Sequence, residues 1–208
     1  MKIQWLGHAC FKLTTKNGTG IVIDPYDDKT GYGELSVRSD VLIVSHSHHD
    51  HANLSSVSGV KMLANHEGEY SFKDVRVLQI GSYHDKVQGA KRGKNLLTRV
   101  EADGQCAVHL GDLGHEPDEK QLEFISNADV MMIPVGGFYT IDTQTAIDIL
   151  MRTKPTAAIP MHYKTADNEY PIAMVDEFAE KTHAQILNKN TMEIADLHGS
   201  VVMEWKNR

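Results

Sequence analysis

The sequence predicts a mixed fold of the α/β (α+β) type in a single domain over residues 1–208. Short apolar runs of strand length, separated by turn residues, fill the first two thirds of the chain. From residue 117 onward, stretches with apolar residues at helical spacing alternate with further apolar runs. A chain of 208 residues can bury a sizeable core in one such domain.

The first two thirds of the chain are predicted to be almost entirely strands. They cover residues 2–6, 10–14, 20–24, 41–45, 60–64, 75–80, 96–101 and 105–110. Asn17-Gly18 and Ala102-Asp103-Gly104 have the composition of hairpin turns, so they predict antiparallel pairing of the strands beside them. Residues 26–39 are predicted to be a loop that passes near the functional site.

The last third is predicted to alternate helices with strands. Residues 117–125 begin with a proline and early acidic residues, which suit a helix start. Residues 142–152 have the apolar spacing of a helix, with Asp142 as the cap. A third helix is predicted over 172–181, and strands over 130–134, 157–161 and 199–205.

Composition places the chain among ordinary globular proteins, with 41% hydrophobic and 24% charged residues. No apolar run approaches the roughly 20 residues of a membrane span, and the first predicted strand begins at once, without a signal peptide. Cys10 and Cys106 lie in apolar runs, which indicates buried, reduced thiols. A cytoplasmic protein without a membrane partner is therefore expected.

The formal net charge of −7 argues against a nucleic-acid partner, because phosphate contacts need a basic surface. One local basic run, residues 86–94, contains Lys91, Arg92 and Lys94. It follows His84 directly, so it either contacts an anionic small-molecule substrate or forms a solvated loop. The sequence allows a homo-oligomer but does not specify one.

The most informative segment is His46-Ser47-His48-His49-Asp50-His51, which follows the apolar residues 41–44. Five of its six residues can bind a metal, and imidazoles suit zinc, iron or nickel. The alternative is a histidine-rich surface loop. A buried strand that ends in such a cluster can direct several ligands at one point, which favours a metal site.

Further candidate ligands occur where other apolar runs end. His84 follows the run 75–80, Asp112 follows 105–110, and His162 follows 157–161. Strand ends that meet at one edge are where α/β folds place their chemistry. His84, Asp112 and His162 are therefore predicted to join the histidine-rich segment.

These residues resemble the metallo-β-lactamase-fold hydrolase superfamily, whose pattern is His-x-His-x-Asp-His followed by an isolated His, a Gly-Asp and a final His. More narrowly, the chain is similar to a small metal-dependent hydrolase branch that includes ascorbate-6-phosphate lactonase and the N-acyl-phosphatidylethanolamine phospholipase D enzymes. The segments that carry this second similarity are Trp5-Leu6-Gly7-His8-Ala9, Ile23-Asp24-Pro25, Gly111-Asp112-Leu113-Gly114 and Ile159-Pro160-Met161-His162-Tyr163. The resemblance implies a four-layer αββα sandwich of two mixed sheets flanked by helices.

The resemblance also implies a binuclear site and a division of its ligands. His46, His48 and His84 would bind one ion, Asp50, His51 and His162 the other, and Asp112 both. The expected cofactors are two divalent ions, with Zn²⁺ favoured and Mn²⁺, Ni²⁺ or Fe²⁺ as alternatives. A hydroxide that bridges the two ions would be the nucleophile, and Asp50 would orient it and pass a proton to the leaving group.

Other residues are predicted to support this site. Asp24 is expected to accept the N–H of a ligand imidazole, with a simple turn role before Pro25 as the alternative. The candidates for substrate contact are Arg92, Lys94, Asn95, Tyr139 and Tyr163. His109 is predicted to be a satisfied core residue, whereas His8 and His115 flank strand ends and either could line the site.

The predicted function is metal-dependent hydrolysis of an ester-type bond, with a phosphodiester or a phosphorylated lactone preferred. An iron-dependent oxidoreductase or dioxygenase on the same fold is one alternative, favoured if the protein binds iron and consumes oxygen. A nuclease is another, but the acidic chain lacks a large insertion for a nucleic-acid clamp. A metal-binding scaffold without catalysis is disfavoured because all seven ligand positions are filled.

Overall fold

The computed structural model describes residues 1–204 and shows two large β-sheets, one of six strands and one of eight, with a small two-stranded sheet beside them. In chain order the strands are β1 (Lys2–Gly7), β2 (Cys10–Thr14), β3 (Gly20–Ile23), β4 (Val37–Arg38), β5 (Val41–Ile43), β6 (Val57–Ser58), β7 (Met62–Ala64), β8 (Gly68–Phe72), β9 (Val75–Tyr83), β10 (Lys94–Ala102), β11 (Gln105–His109), β12 (Val130–Pro134), β13 (Ala157–Met161), β14 (Gln185–Leu187), β15 (Thr191–Glu193) and β16 (Gly199–Met203). The α-helices are α1 (Glu119–Ile125), α2 (Thr143–Thr153) and α3 (Asp176–Thr182).

The strand directions bring many strand ends to one edge. The six-stranded sheet has the order β15-β1-β2-β3-β5-β7, and β1, β3, β5 and β7 run in the same direction. The eight-stranded sheet has the order β14-β16-β13-β12-β11-β10-β9-β8, and β9, β11, β12, β13 and β16 share one direction. In each sheet, therefore, the carboxyl ends of these strands lie along one edge.

Alternation along the strands of the six-stranded sheet explains why it is covered on both faces. Ile3, Ile21 and Ile43 belong to the large core that also contains Val77 and Leu97 of the eight-stranded sheet. Their neighbours in sequence point the other way, as the pleat requires. Those neighbours form a second buried cluster on the opposite face, which includes Leu6, Val22 and Leu42.

The two outer layers of the sandwich differ. Helix α1 contacts β10, α3 contacts β16, and α2 lies between α1 and α3, so the α-helices cover the eight-stranded sheet. The outer face of the six-stranded sheet packs instead against Tyr26, Tyr32, Leu35 and Val57. These residues belong to a segment with two short 3-10 turns, Asp28–Thr30 and Leu54–Ser56. The predicted sandwich fold is confirmed, with a loop layer on one side.

Most predicted elements are present, but several bounds differ. Both predicted hairpins join antiparallel strands, β2 with β3 and β10 with β11. The α1 helix starts after Asp118, whose carboxylate accepts the N–H of Gln121 in a capping box, so Pro117 precedes the cap instead of entering the first turn. Asp142 caps α2 as expected. The predicted helix 172–181 is wrong at its start, because Ala173 pairs with Gly136 and Lys164 through backbone hydrogen bonds.

Strand pairing also moved the bounds of the central hairpin. β9 extends to Tyr83 and β10 starts at Lys94, where these two residues pair. Short strands that the sequence did not predict are β4, β6, β8, β14 and β15. The last predicted strand is seen over Gly199–Met203, and its final residue, Trp205, lies outside the described residues. Among residues 1–204, no helix has the length and apolar character needed to cross a membrane.

Candidate metal centre

Polar side chains follow six strands whose carboxyl ends lie along the shared edges of the two sheets. Glycines and left-handed backbone help the chain turn there: φ is +51° at His8, +50° at Asp24 and +53° at His162. Most of these side chains are buried. This is unusual, because residues that follow a strand normally lie in exposed loops. They are His8 after β1, Asp24 after β3, His46 after β5, His84 after β9, Asp112 after β11 and His162 after β13.

The histidine-rich segment forms a tight turn that separates its side chains. The carbonyl of His48 accepts the N–H groups of both His51 and Ala52, at 3.0 Å each. His51 is fully buried, whereas His49 is 52% exposed and contacts Asp27 at 2.9 Å between Nδ1 and Oδ1. The turn therefore directs His51 inward and His49 toward solvent.

The predicted ligands fall into two groups. One ligand atom from each of His46, His48 and His84 lies within 4.8 Å of the others, and we call this set the first triad. A second set contains Asp50, His51 and His162, the second triad, together with His8, again within 4.8 Å of one another. The two triads have the membership that the resemblance implied, with His8 added to the second. A third set, Asp24, His46 and His51, overlaps both triads.

Asp112 lies between the two triads. Its Oδ2 is 3.1 Å from Nε2 of His84 and 3.8 Å from Nε2 of His46, both in the first triad. The same Oδ2 is 3.2 Å from Nε2 of His162, and Oδ1 is 3.2 Å from Nε2 of His51. One carboxylate is therefore in reach of members of both triads.

Asp24 sets the orientation of one imidazole in each triad. Its Oδ2 accepts from Nδ1 of His51 at 2.9 Å and from the hydroxyl of Ser45 at 2.6 Å. The Ser45 oxygen lies 2.9 Å from Nδ1 of His46. A hydroxyl that donates to Asp24 must accept from His46, so Nδ1 carries the proton in both histidines and each Nε2 keeps its lone pair toward the centre. This is the acceptor role predicted for Asp24.

Electrostatics in this cluster favour a cation. Burial and the nearby imidazole of His51 lower the pKa of His46 to about 3, so it is a neutral donor at neutral pH. Burial opposes ionisation of Asp112, but His162 and His51 outweigh it and hold the pKa of that carboxyl well below its usual range. Burial also opposes ionisation of Asp24 and Asp50, but His51 outweighs it and lowers the pKa of both carboxyls. Three ionised carboxylates therefore lie among buried imidazoles, an arrangement that a bound cation would stabilise.

These residues fit a bound metal. Within the described part of the chain, Nε2 of His46, Nε2 of His51 and Oδ1 of Asp112 are buried atoms without a hydrogen-bond partner. Buried polar groups are nearly always satisfied, so atoms of this kind need an explanation. Lone pairs on imidazole and carboxylate that point toward one another are the donor set of a divalent cation.

The backbone around Asp112 leaves little room for change. The Asp112 N–H donates to Oδ1 of Asn95 at 2.9 Å, and the Asn95 amide donates to the carbonyl of Leu110 at 2.9 Å. A Cβ on Gly111, where φ is +53°, would lie 2.2 Å from the same Asn95 oxygen. A Cβ on Gly114 would lie 2.3 Å from the carbonyl carbon of His84. Both glycines are required for this close approach of Asp112 and His84.

A cavity of about 240 Å³ opens over the two triads. Arg92 and Tyr139 form part of its wall, and the Arg92 guanidinium lies 5.4 Å from the centre of the Tyr139 ring. The hydroxyl of Tyr170, another wall residue, is buried without a partner among residues 1–204. The remaining lining residues are His48, His49, Asp50, His84, Asp112 and His162.

Asp85 holds the loop that carries Arg92. Its two carboxylate oxygens accept four backbone N–H groups, from Val87, Gly89, Lys91 and Arg92, at 2.8–2.9 Å. Burial opposes ionisation of Asp85, but these four donors outweigh it and lower its pKa. A single side chain thus binds four backbone N–H groups of the loop between β9 and β10.

Three of the five predicted substrate contacts are not at the cavity wall. Lys94 is exposed and Asn95 is fully buried, because β10 begins earlier than expected and places both in the sheet. The Asn95 side chain is committed to Asp112, Leu110 and Ser82. Tyr163 packs its ring 5.5 Å from that of Trp5 within the core. Lys94, Asn95 and Tyr163 therefore do not line the cavity, contrary to expectation, whereas Arg92 and Tyr139 do.

The other histidines differ in how their nitrogens are used. In His109, Nε2 bonds the carbonyl of Ala9 at 2.9 Å and Nδ1 accepts the Gly111 N–H at 3.0 Å, so it is the satisfied core residue that was predicted. His115 bonds backbone groups of Tyr83 and Glu116 outside the cavity. His8 joins the second triad.

The sequence patterns assign no role at the site to Asp85 or Tyr170, and they give His8 only as a residue that could line it. Asp85 followed His84 in the sequence, but its four backbone contacts depend on the folded loop and gave no pattern. Tyr170 lies in a segment for which no element was predicted. His8 had a usable signal, because it follows a strand in the same way as His84 and His162 do.

Comparison with known proteins identifies the family. Residues 2–162 match the model of the beta-lactamase superfamily domain. A UPF0173 metal-dependent hydrolase of Carboxydothermus hydrogenoformans is 30% identical over 93% of this chain and 100% of its own length. A UPF0173 protein of Pyrococcus furiosus is 33% identical, over 82% of this chain and 87% of its own.

A solved structure agrees with these sequences. A Thermotoga maritima protein, described as a candidate Zn-dependent hydrolase of the metallo-β-lactamase superfamily, superposes with a TM-score of 0.80 at 32% identity, covering 97% of each chain. Fold, site geometry and sequence agree with the resemblance drawn from the motifs. The chain belongs to the metallo-β-lactamase superfamily and, within it, to the UPF0173 family of metal-dependent hydrolases.

Proposed function

We propose that this protein is a binuclear metal-dependent hydrolase that acts on an ester-type bond of a small anionic molecule. The observation that carries the proposal is the position of Asp112 between two separate triads. A site for a single metal ion would need only one of the two triads. A carboxylate within 3.2 Å of imidazoles from both groups suits a pair of ions that it bridges.

The proposed ligands are His46, His48 and His84 for one ion and Asp50, His51 and His162 for the other. Zn²⁺ is favoured because imidazole and carboxylate form its usual donor set, and Mn²⁺, Ni²⁺ and Fe²⁺ are alternatives. When bound, such ions activate water as a nucleophile at neutral pH and polarise the substrate oxygen.

Asp50 is the proposed proton carrier. Its side chain is 15% exposed and forms part of the cavity wall, so it is in reach of substrate. Oδ2 lies 3.3 Å from Nε2 of His8 and 3.9 Å from Nε2 of His51. Burial opposes ionisation, but His51 and His8 lower the pKa of Asp50, so the side chain is a carboxylate at neutral pH. The ionised form is the one that has to be present for Asp50 to take a proton and pass it to the leaving group.

Arg92 is the proposed anchor for the anionic part of the substrate. Its guanidinium offers paired donors that match phosphate or carboxylate. Asp85 fixes the backbone N–H of Arg92, and Tyr139 lies beside its guanidinium, so the group is positioned before substrate arrives. A cavity of about 240 Å³ suits a small molecule. A phosphodiester or a phosphorylated lactone combines that size with the required charge.

We also propose that the protein works in the cytoplasm. Cys106 is a buried thiol that forms no disulfide. A thiol of this kind is typical of a reducing compartment.

The test is hydrolysis of bis(p-nitrophenyl) phosphate by protein reconstituted with Zn²⁺ or Mn²⁺. We expect metal-dependent turnover that His48→Ala abolishes and that His66→Ala, a change at an exposed histidine, leaves intact. Turnover unchanged in His48→Ala would contradict the proposal. If the fully metallated protein does not cleave the diester, the phosphodiester is excluded and lactone hydrolysis is measured next. Oxygen uptake by iron-loaded protein, with neither hydrolysis present, would replace the proposal with iron-dependent oxidation.

A further inference from the structure

His8 occupies a position that the proposed ligand set does not use. It lies directly after β1, where the pairing with β2 shifts between Trp5 and Gly7. Such bulges redirect a side chain and are common beside active sites. The His8 carbonyl accepts from Nε1 of Trp5 at 3.0 Å and from the N–H of His162 at 3.4 Å. The residue is therefore fixed in place by its own backbone.

The His8 ring is buried and unsatisfied. Its exposed fraction is 0%, and no hydrogen-bond partner for Nδ1 or Nε2 is present among residues 1–204. Nε2 is 3.3 Å from Oδ2 of Asp50, without hydrogen-bond geometry. A fully buried imidazole with neither nitrogen bonded is rare in native proteins and indicates a missing partner.

His109 shows how this chain treats a histidine that only fills the core. It is equally buried, yet one ring nitrogen bonds the carbonyl of Ala9 and the other the N–H of Gly111. His8 has no such contacts, and its ring lies 4.2 Å from that of His162 and 5.3 Å from that of His51, between centroids. Its surroundings are those of a metal ligand.

We infer that His8 is an additional ligand of the ion held by the second triad, an inference that rests on the proposed binuclear site. One ligand atom from each of His8, Asp50, His51 and His162 lies within 4.8 Å of the others. That spacing suits atoms that share a single ion. With Asp112, the second position then has five protein ligands, whereas the first triad and Asp112 supply four.

The two positions are consequently unequal. An ion with five protein ligands has fewer places for water or substrate than an ion with four. A substrate oxygen would then bind mainly to the ion held by His46, His48 and His84. Besides five-coordinate Zn²⁺, the second position then suits ions that accept five or six ligands, such as Mn²⁺, Fe²⁺ or Ni²⁺.

The test counts histidines bound to metal without measuring activity. Protein with ¹⁵N-labelled imidazoles is loaded with ¹¹³Cd²⁺, and each nitrogen bound to cadmium is identified by its ¹¹³Cd–¹⁵N coupling. We expect six coupled histidines: His46, His48, His51, His84 and His162 with His8. The variant His8→Asn should show five, because it removes one imidazole while asparagine tolerates the φ of +51° at this position.

His49→Asn, which changes the exposed histidine of the same metal-binding segment, serves as the matched control and should still show six. Competition with a chelator should show at least about tenfold weaker binding of one cadmium in His8→Asn and no change for the other. Two bound cadmium ions with five coupled histidines in the wild type would overturn the His8 assignment and leave the binuclear proposal standing. If the wild type binds no cadmium, both fail together. If His8→Asn does not fold, the number of cadmium-coupled histidines in the wild type and in His49→Asn still tests the His8 assignment.

Discussion

Replacement of Asp24 with asparagine disturbs both triads through one buried atom. Oδ2 of Asp24 accepts from His51 directly and from His46 through Ser45, and Oδ1 accepts the Ser45 N–H at 2.7 Å. An amide has one oxygen and one NH₂ group. If the NH₂ group replaces Oδ2, it faces a hydroxyl and an imidazole that both have to donate. If it replaces Oδ1, it faces the Ser45 N–H. Either orientation creates a contact between donors.

The magnitude follows from the bonds lost. Asp24→Asn converts one charge-assisted hydrogen bond into a mismatched contact if the NH₂ group replaces Oδ1, and two if it replaces Oδ2, and such bonds contribute about 1.5–3 kcal/mol each. One way to relieve the mismatch is to move the His51 proton from Nδ1 to Nε2, which removes the lone pair from the metal side. We therefore expect affinity to fall roughly 10- to 100-fold, or about 1.4–2.7 kcal/mol, at the second-triad position. The loss at His46 should be smaller, because Ser45 can rotate.

The assay is competition for Zn²⁺ with a chromogenic chelator, using apoprotein and circular dichroism to confirm the fold. Asp27→Asn is the matched control, because it changes an Asp–His contact at the exposed His49, outside both triads. It should change affinity by less than about twofold, since surface pairs are weak. Zinc affinity in Asp24→Asn within threefold of the wild type would refute the argument that this carboxylate sets the imidazole tautomers.

The remaining predictions concern the supports of the site and a buried thiol. Asp85→Ala removes the acceptor of four loop N–H groups. It should raise KM for an anionic substrate about tenfold, or about 1.4 kcal/mol, and leave the amount of bound metal unchanged. An unchanged KM in steady-state kinetics would show that the loop needs no anchor. Asn95→Ala leaves the buried N–H of Asp112 without an acceptor. It should lower the free energy of unfolding by about 1–3 kcal/mol in urea titrations of metal-free protein. An effect below experimental error would contradict that contact. Burial raises the pKa of the Cys106 thiol to about 11. Because only the thiolate reacts, labelling of this thiol in native protein should be slow at pH 8 and faster as pH rises. Fast labelling of native protein at pH 8 would show the thiol to be accessible.

The candidate metal site was predictable because its proposed ligands lie in segments that directly follow strands β5, β9, β11 and β13. His84 and His162 directly follow buried strands that run in the same direction, so their position in the sequence determines where they meet. The same pattern applies to His8, which directly follows β1. Asp24 was predictable for the same reason, since it directly follows β3.

Contacts formed by the folded chain were not predictable in the same way. Asn95 looked like a loop residue beside basic neighbours, but the pairing of β9 with β10 extends to Lys94 and buries it. Tyr163 follows a ligand in sequence, yet its ring packs on Trp5, more than 150 residues earlier. The start of the third helix was wrong because residue 173 bonds to the distant Gly136, which local spacing cannot reveal. Each error concerns a long-range partner.

The measurement that tests the central claim most directly is metal stoichiometry by elemental analysis after chelation, zinc reconstitution and desalting. We predict two equivalents of zinc per chain in the wild type. His48→Ala and His162→Ala, which each remove a ligand from a different triad, should each retain one. A single equivalent in the wild type, or two equivalents retained by both variants, would contradict a binuclear site joined by Asp112.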